Sequence, residues 1–269
     1  MIDWDGPARQ PCPVCARSEH DRTLGVTVEA GRGVAHCFRC QYVETTRGEV
    51  REGRPQDRRT GTQKHETLSE YGRALWEACR PVSGPALAYL NARQCVVPPA
   101  DGDLRWHPAL VHKPSGTAGP ALVALVTDAV TREPLTLHRT WIQADGRKAP
   151  MDPPRMLLGG HRKAGGVIRL WPDDAVSYGL GVAEGIETAL ALAHAMPPVW
   201  ACIDAGNLAA LPVLGGIESL VIAADHDDAG LKAATECARR WHRAGCAVQV
   251  VVPPRHKADL ADVAQGGAA

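Results

Sequence analysis

Along the last third of the chain, short apolar runs alternate with amphipathic stretches, and several of the runs stop abruptly at an acid. Leu220–Ala224 is mostly β-branched or small and gives way to Asp225-His226-Asp227-Asp228-Ala229-Gly230. That pattern predicts a buried strand, a turn and then a helix over 228–243. Gly179–Ala183 repeats it: an apolar run, Glu184, Gly185, and a helix from Ile186 to Ala195. Further strands are expected over Val199–Ile203 and Ala247–Val252, with a short helix near Asn207–Leu211 between them. Strand and helix alternating in this way imply a parallel sheet with crossover helices. In such sheets ligands bind beyond the carboxyl ends of the strands.

Upstream the period changes. Leu68, Tyr71, Leu75 and Cys79 recur at helical spacing, with Trp76 beside them, so 67–80 is read as an amphipathic helix and 85–93 as a second. Ala121–Val126 and Leu135–Ile142 flank Thr131-Arg132-Glu133-Pro134 and read as a hairpin. A basic, glycine-rich passage follows, with Arg139, Arg147, Lys148, Arg155, Arg162, Lys163 and Arg169 among Gly159, Gly160, Gly165 and Gly166. Residues 45–67 are nearly free of apolar side chains and read as a mobile linker.

With 269 residues and 45% hydrophobic content there is material for one large or two modest domains plus a small module. Thirty basic residues against thirty acidic ones give a formal charge of zero, so a basic surface must come from local segregation. No run of about eighteen apolar residues and no secretory leader is visible, so no membrane is expected and the protein is read as cytoplasmic. Four of nine cysteines form tight pairs near the amino terminus, which argues for metal rather than disulfides.

Those pairs, Cys12-Pro13-Val14-Cys15 and Cys37-Phe38-Arg39-Cys40, present four thiolates in the pattern of a closed, structural Zn²⁺ site. His20 and His36 lie nearby, but four cysteines leave them no vacancy. The intervening segment has strand-like apolar positions at Leu24, Val26, Val28 and Val34. Arg9, Arg17, Arg22, Arg32 and Arg39 suit phosphate contacts. Phe38 and Tyr42 either stack on bases or form the ribbon's own small core.

Glu184, Asp225 and Asp227 converge if their strands are neighbours, and three carboxylates suit Mg²⁺ or Mn²⁺, which keep waters free for a phosphate substrate. A capped turn is the plainer reading of the Asp-x-Asp, with Asp228 capping the helix. Asp259, in Lys257-Ala258-Asp259-Leu260-Ala261-Asp262, either joins the metal cluster or caps a short helix. The basic passage, placed just before the acidic strands, complements a polyanion lying across them.

Glu184-Gly185 and Asp225-His226-Asp227-Asp228-Ala229-Gly230 resemble the two signatures of the Toprim domain. Ala183-Glu184-Gly185-Ile186-Glu187-Thr188-Ala189-Leu190, with Arg139-Thr140 and the cysteine pairs upstream, is similar to the Toprim DNA primases of bacteriophages and plasmids. The resemblance implies an α/β fold: a zinc ribbon (8–45), a linker (46–67), an α+β subdomain (68–170) and a Toprim catalytic domain with a parallel sheet flanked by helices (171–269). It implies DNA replication chemistry: short RNA primers made on a single-stranded DNA template from ribonucleoside triphosphates. Glu184, Asp225 and Asp227 would hold catalytic metal, with Glu184 also a general acid or base and Asp259 a further ligand. Arg139, Lys148, Arg155, Lys163 and Arg169 would meet nucleotide or template, and Cys12, Cys15, Cys37 and Cys40 would carry template recognition. The chain has no Gly-x-x-x-x-Gly-Lys-Ser/Thr motif, so unwinding would fall to a separate replicative helicase. His226 stands where that family commonly has a small residue. The same acids could serve a metal-dependent nuclease, and a ribbon adaptor that binds single-stranded DNA and recruits a helicase is the non-enzymatic alternative. A topoisomerase is disfavoured, because Tyr42, Tyr71, Tyr89 and Tyr178 all fall in ribbon, helix or strand-edge contexts.

Overall fold

The computed structural model describes residues 2–4, 6–7, 9–16, 18–19, 21–29, 32–37, 39–40, 42–47 and 65–266. The expected roles of Arg17, His20 and Phe38, and most of the expected linker, lie outside the described residues. The chain divides into two compact units, 1–62 and 63–269.

The first unit is an antiparallel sheet of four strands in sequential order: β1 (Arg9–Gln10), β2 (Leu24–Glu29), β3 (Arg32–Cys37) and β4 (Val43–Arg47). The period of two decides which side chains are buried. Leu24 and Val26 on β2 and Ala35 and Cys37 on β3 face inward, so Val34 lies on the open face, 44% exposed. Ile2 joins this core, and Trp4 and Tyr42 pack against it. The Gln10 side chain fastens the amino-terminal segment, accepting from the Asp3 N–H and donating to the Pro7 carbonyl, each at 3.0 Å.

The second unit begins with α1 (Glu70–Glu77), capped by the Ser69 hydroxyl, then β5 (Arg80–Pro81) and α2 (Gly84–Ala92). Next come β6 (Leu104–His112), β7 (Thr117–Asp128), β8 (Pro134–Trp141), β9 (Arg155–Leu157) and β10 (Gly166–Arg169). The carboxy-terminal part alternates β11 (Gly179–Ala183), α3 (Ile186–Leu192), β12 (Val199–Ala201), α4 (Ala205–Ala210), β13 (Ser219–Ala223), α5 (Asp228–Arg243), β14 (Ala247–Val251) and α6 (Leu260–Gly266). Strands β12, β11, β13 and β14 are parallel neighbours in that order, while β10 pairs antiparallel with both β12 and β7. One sheet therefore runs from the antiparallel subdomain into the parallel domain.

Alternation divides the parallel strands between two cores. Leu180, Val182, Leu220 and Ile222 pack with Leu208 of α4 and Trp241 of α5, whereas Ala183, Ala201 and Ala223 pack with Tyr89 and Leu90 of α2 and Ile186 and Leu190 of α3. A side chain at Gly181 would meet Val199 at 2.8 Å and Leu192 at 2.9 Å, so glycine lets α3 lie close on the sheet. A third cluster joins Leu68 and Leu75 to Leu137 and Trp141 under α1. Cys79, Cys95, Cys202, Cys237 and Cys246 are buried, as is Trp106, which donates to the Ser83 hydroxyl at 3.0 Å. Among the described residues no helix is long and apolar enough to cross a membrane.

Candidate metal centres and the carboxylate edge

In the first unit the sulfurs of Cys12, Cys15, Cys37 and Cys40 lie within 4.8 Å of one another. Cys12 and Cys40 are 3.7 Å apart and Cys15 and Cys37 3.5 Å. Backbone N–H groups of Val14 and Arg39 donate to Cys12 and Cys37, both at 3.4 Å. Burial pushes the Cys37 thiol up, but N–H donors from Cys40 and Arg39 outweigh it and bring it to about 6. Cys15 goes the other way, to about 12, first by burial and then by its thiol neighbours. Four adjacent thiolates cannot all ionise without a cation, and a sulfur-only set of this spacing fits Zn²⁺. Arg39 braces the knuckle, pairing with the buried Asp21 at 2.6 Å and donating to the Cys15 carbonyl at 3.0 Å.

In the second unit the acids collect at the carboxyl ends of the parallel strands. Registers Ala183↔Ala223 and Ala183↔Ala201 set Glu184 between the ends of β13 and β12. Burial, then the charges of Asp225, Asp227 and Asp204, push Glu184 up from 4.5 to about 7. Asp225 rises from 3.8 to about 6 through burial and then Asp259, Asp227 and Asp262, with Arg155 opposing. One oxygen each of Glu184 and Asp225 is buried and has no hydrogen-bond partner. Such atoms suit a hard cation, so Mg²⁺ or Mn²⁺ fits the donor set. No group of three or more acids among the described residues brings ligand oxygens within 4.8 Å.

Three further acids have local duties. Asp227, not Asp228, caps α5, accepting from Gly230 N–H at 2.8 Å; α5 starts at 228, which puts the Asp227 carboxylate in the capping position. Asp259 and Asp262 cap the start of α6 reciprocally, at 2.8 and 3.2 Å, while Asp259 stays within electrostatic reach of Asp225. His226 ties the two acidic loops together. Its ring meets the Pro253 carbonyl at 2.7 Å, and its backbone pairs with Ala258 and Lys257. A side chain at Gly230 would lie 2.5 Å from the Asp225 carbonyl oxygen, so the first turn of α5 needs glycine to approach the acid loop.

Asp204 is an acid that the sequence reading passed over. It lies three residues past the end of β12, and it is set by Ile203, a β-branched residue at φ 75°. It caps α4 and pairs with Lys163 at 2.7 Å. Glu187, within the Toprim-like string, carries no role in the sequence-based expectation. Its neighbours Ile186, Ala189 and Leu190 are all buried, so α3 has no polar face there and the carboxylate goes into the interior.

The five basic residues separate by environment. Arg169 is buried, pairs with Asp173 at 2.8 Å, donates to the Asp128 and Ala129 carbonyls, and lies over the Trp200 ring. Arg139 is 4% exposed and donates to the Leu157 carbonyl at 2.7 Å. Both guanidinium groups are largely buried and engaged by these internal partners. Lys148 and Arg155 are partly exposed and reach Glu187 at 3.7 and 2.8 Å; Lys163, more than half exposed, lies on the glycine-rich loop.

Residues 179–269 match the family model of the Toprim domain, and residues 66–170 match a domain of unknown function (DUF7146). No curated protein matches the chain. Among solved structures the chain is similar to the primase fragment of the bacteriophage T7 primase-helicase protein, at 17% identity over 96% of this chain and 94% of that one, with a TM-score of 0.45. It is also similar to a DNA primase domain from Pseudomonas aeruginosa, at 14% identity over 74% of each chain, TM-score 0.45. The zinc-binding and RNA polymerase domains of the Aquifex aeolicus primase match at 12% identity over 96% of this chain and 75% of that one, TM-score 0.46.

Proposed function

We propose that this chain is a DNA primase, a nucleotidyltransferase that joins ribonucleoside triphosphates into short primers on single-stranded DNA. The observation that carries the reading is the carboxylate edge: Glu184 and Asp225 just past the carboxyl ends of adjacent parallel strands within the Toprim match, each with a buried, unpartnered oxygen.

In the proposed reaction a 3′-hydroxyl oxygen attacks the α-phosphorus of the incoming nucleotide. The bond from that phosphorus to the bridging oxygen of the β-phosphate breaks, and pyrophosphate leaves. Glu184, Asp225 and Asp227, with Asp259 alongside, would hold Mg²⁺ or Mn²⁺, which would neutralise charge and make the hydroxyl more acidic. Glu184 is the candidate general base for the hydroxyl proton. Lys148 and Arg155 beside the acids, and Lys163 on its glycine-rich loop, neutralise the triphosphate and orient it. The cysteine ribbon, held by zinc, offers its open face and Arg22 to the template, and a separate helicase supplies unwinding.

Pyrophosphate release that requires both single-stranded DNA and ribonucleotides, and is lost in Glu184→Gln, is the result this reading requires. Release that ignores the template would count against it.

A further inference from the structure

Glu187 is a carboxylate where the core has room for an apolar side chain. It lies on α3, 7% exposed, with both flanks buried. Its Oε1 accepts from the Tyr89 hydroxyl at 2.6 Å and from Arg155 Nη2 at 2.8 Å, and Lys148 Nζ stands 3.7 Å away. Burial raises the acid, but Arg155, Lys148 and the Tyr89 hydroxyl outweigh it and hold it at about 2, so the charge is permanent at neutral pH. A well-packed apolar residue there would avoid the desolvation cost, so stability alone does not account for an acid at this place.

The surroundings of the two cations suggest what the acid does. Arg155 is also within electrostatic reach of Asp225, and Lys148 of Asp259. Both cations are partly exposed and on flexible stems. Without the Glu187 charge, Asp225 and Asp259 remain acids that these cations reach electrostatically. A guanidinium seated on Asp225 would occupy the oxygen that a divalent ion needs.

We propose that Glu187 is a positioning residue that holds Arg155 and Lys148 off Asp225 and Asp259, so that acids and cations lie side by side without neutralising each other. The acid edge then stays open to a divalent cation while the two cations face the phosphates beside it. This role rests on the reading that the edge takes Mg²⁺ or Mn²⁺, and it extends that reading to a residue that touches neither metal nor substrate.

The test is Mn²⁺ titration of the zinc-loaded full chain without nucleotide, with free Mn²⁺ read by electron paramagnetic resonance. Wild type should bind Mn²⁺ at a site that Asp225→Asn removes. Glu187→Gln should raise the dissociation constant roughly tenfold or more, the order by which a close cation shifts a carboxylate's affinity. Adding Arg155→Gln to that variant should return affinity to within about threefold of wild type, since the competing cation is gone. Arg155→Gln alone should bind Mn²⁺ as well as wild type or better. Unchanged binding in Glu187→Gln, or a double variant as weak as the single one, would overturn the role. If Glu187→Gln does not fold, as judged by its melting transition, Arg155→Gln decides: weakened binding there would mean that the arginine supports the metal site. A wild type with no Asp225-dependent Mn²⁺ site would sink the metal reading itself, and this role with it.

Discussion

Replacing Glu184 by Gln should stabilise the divalent-free protein while abolishing its chemistry. Glu184 titrates at about 7 when folded against an ordinary 4.5, because burial and the charges of Asp225, Asp227 and Asp204 disfavour its ionised form. Folding therefore retains a proton between those values. The stability that the protonated form contributes is complete below about pH 4.5 and is lost as pH rises through about 7. The full shift corresponds to about 3 kcal/mol. Because the side chain is partly solvated, screening reduces this to about 1–2 kcal/mol. Glutamine mimics the protonated acid, so the variant should melt roughly 3–6 °C higher than wild type at pH 8 for a unit of this size. The two should converge near pH 4. Asp225, raised to about 6, steepens the wild-type decline in the same direction. Differential scanning calorimetry of zinc-loaded, divalent-free protein from pH 4 to 8 measures this. Mg²⁺ should then raise the wild-type transition far more than that of the variant. A variant that melts lower than wild type at pH 8, or by the same margin at every pH, would refute the stored repulsion.

Other substitutions separate structure from chemistry. Gly230→Ala should displace the Asp225 loop and cut metal affinity about tenfold, read by Mn²⁺ titration, although alanine favours a helix by about 1 kcal/mol. Arg169→Ala should cost about 1–3 kcal/mol in denaturant melts, because the Asp128 and Ala129 carbonyls lose a charged donor while Asp173 keeps Arg132. Lys163→Ala, at an exposed pair, should cost under about 1 kcal/mol while raising the KM for ribonucleotides. Zinc chelation, or Cys37→Ser, should erase the ribbon's dispersed amide resonances and leave those of residues 65–266 in place, since none of the latter's cores contains a ligand cysteine.

The parallel half of the fold was legible because each of its strands is a short apolar run ended by an acid or a proline, and the predicted α5 over 228–243 is the helix observed. The antiparallel strands were harder to read. In β6, Pro108 and the register shift between His107 and Leu110 break the alternation, and β10 reads as part of a basic loop although all four of its residues are buried. The acids at strand ends were readable from position alone. Asp204 lies three residues past β12, beyond Cys202 and Ile203, so no acid directly ends that apolar run. The basic residues show where sequence runs out. Charge type does not reveal whether a cation faces solvent, as Lys163 does, or a carbonyl-lined interior, as Arg169 does. Glu187 belongs to the same class, since only the packing of α3 against Tyr89 shows that its carboxylate points inward.

The measurement that bears most directly on the account is a gel of products from zinc-loaded protein incubated with single-stranded DNA, Mg²⁺ or Mn²⁺ and labelled ribonucleotides, run beside Glu184→Gln. Short labelled oligomers that require the template and vanish in the variant are the predicted result. A shortened template with no new oligomers would contradict the primase and turn the same carboxylate edge into a nuclease.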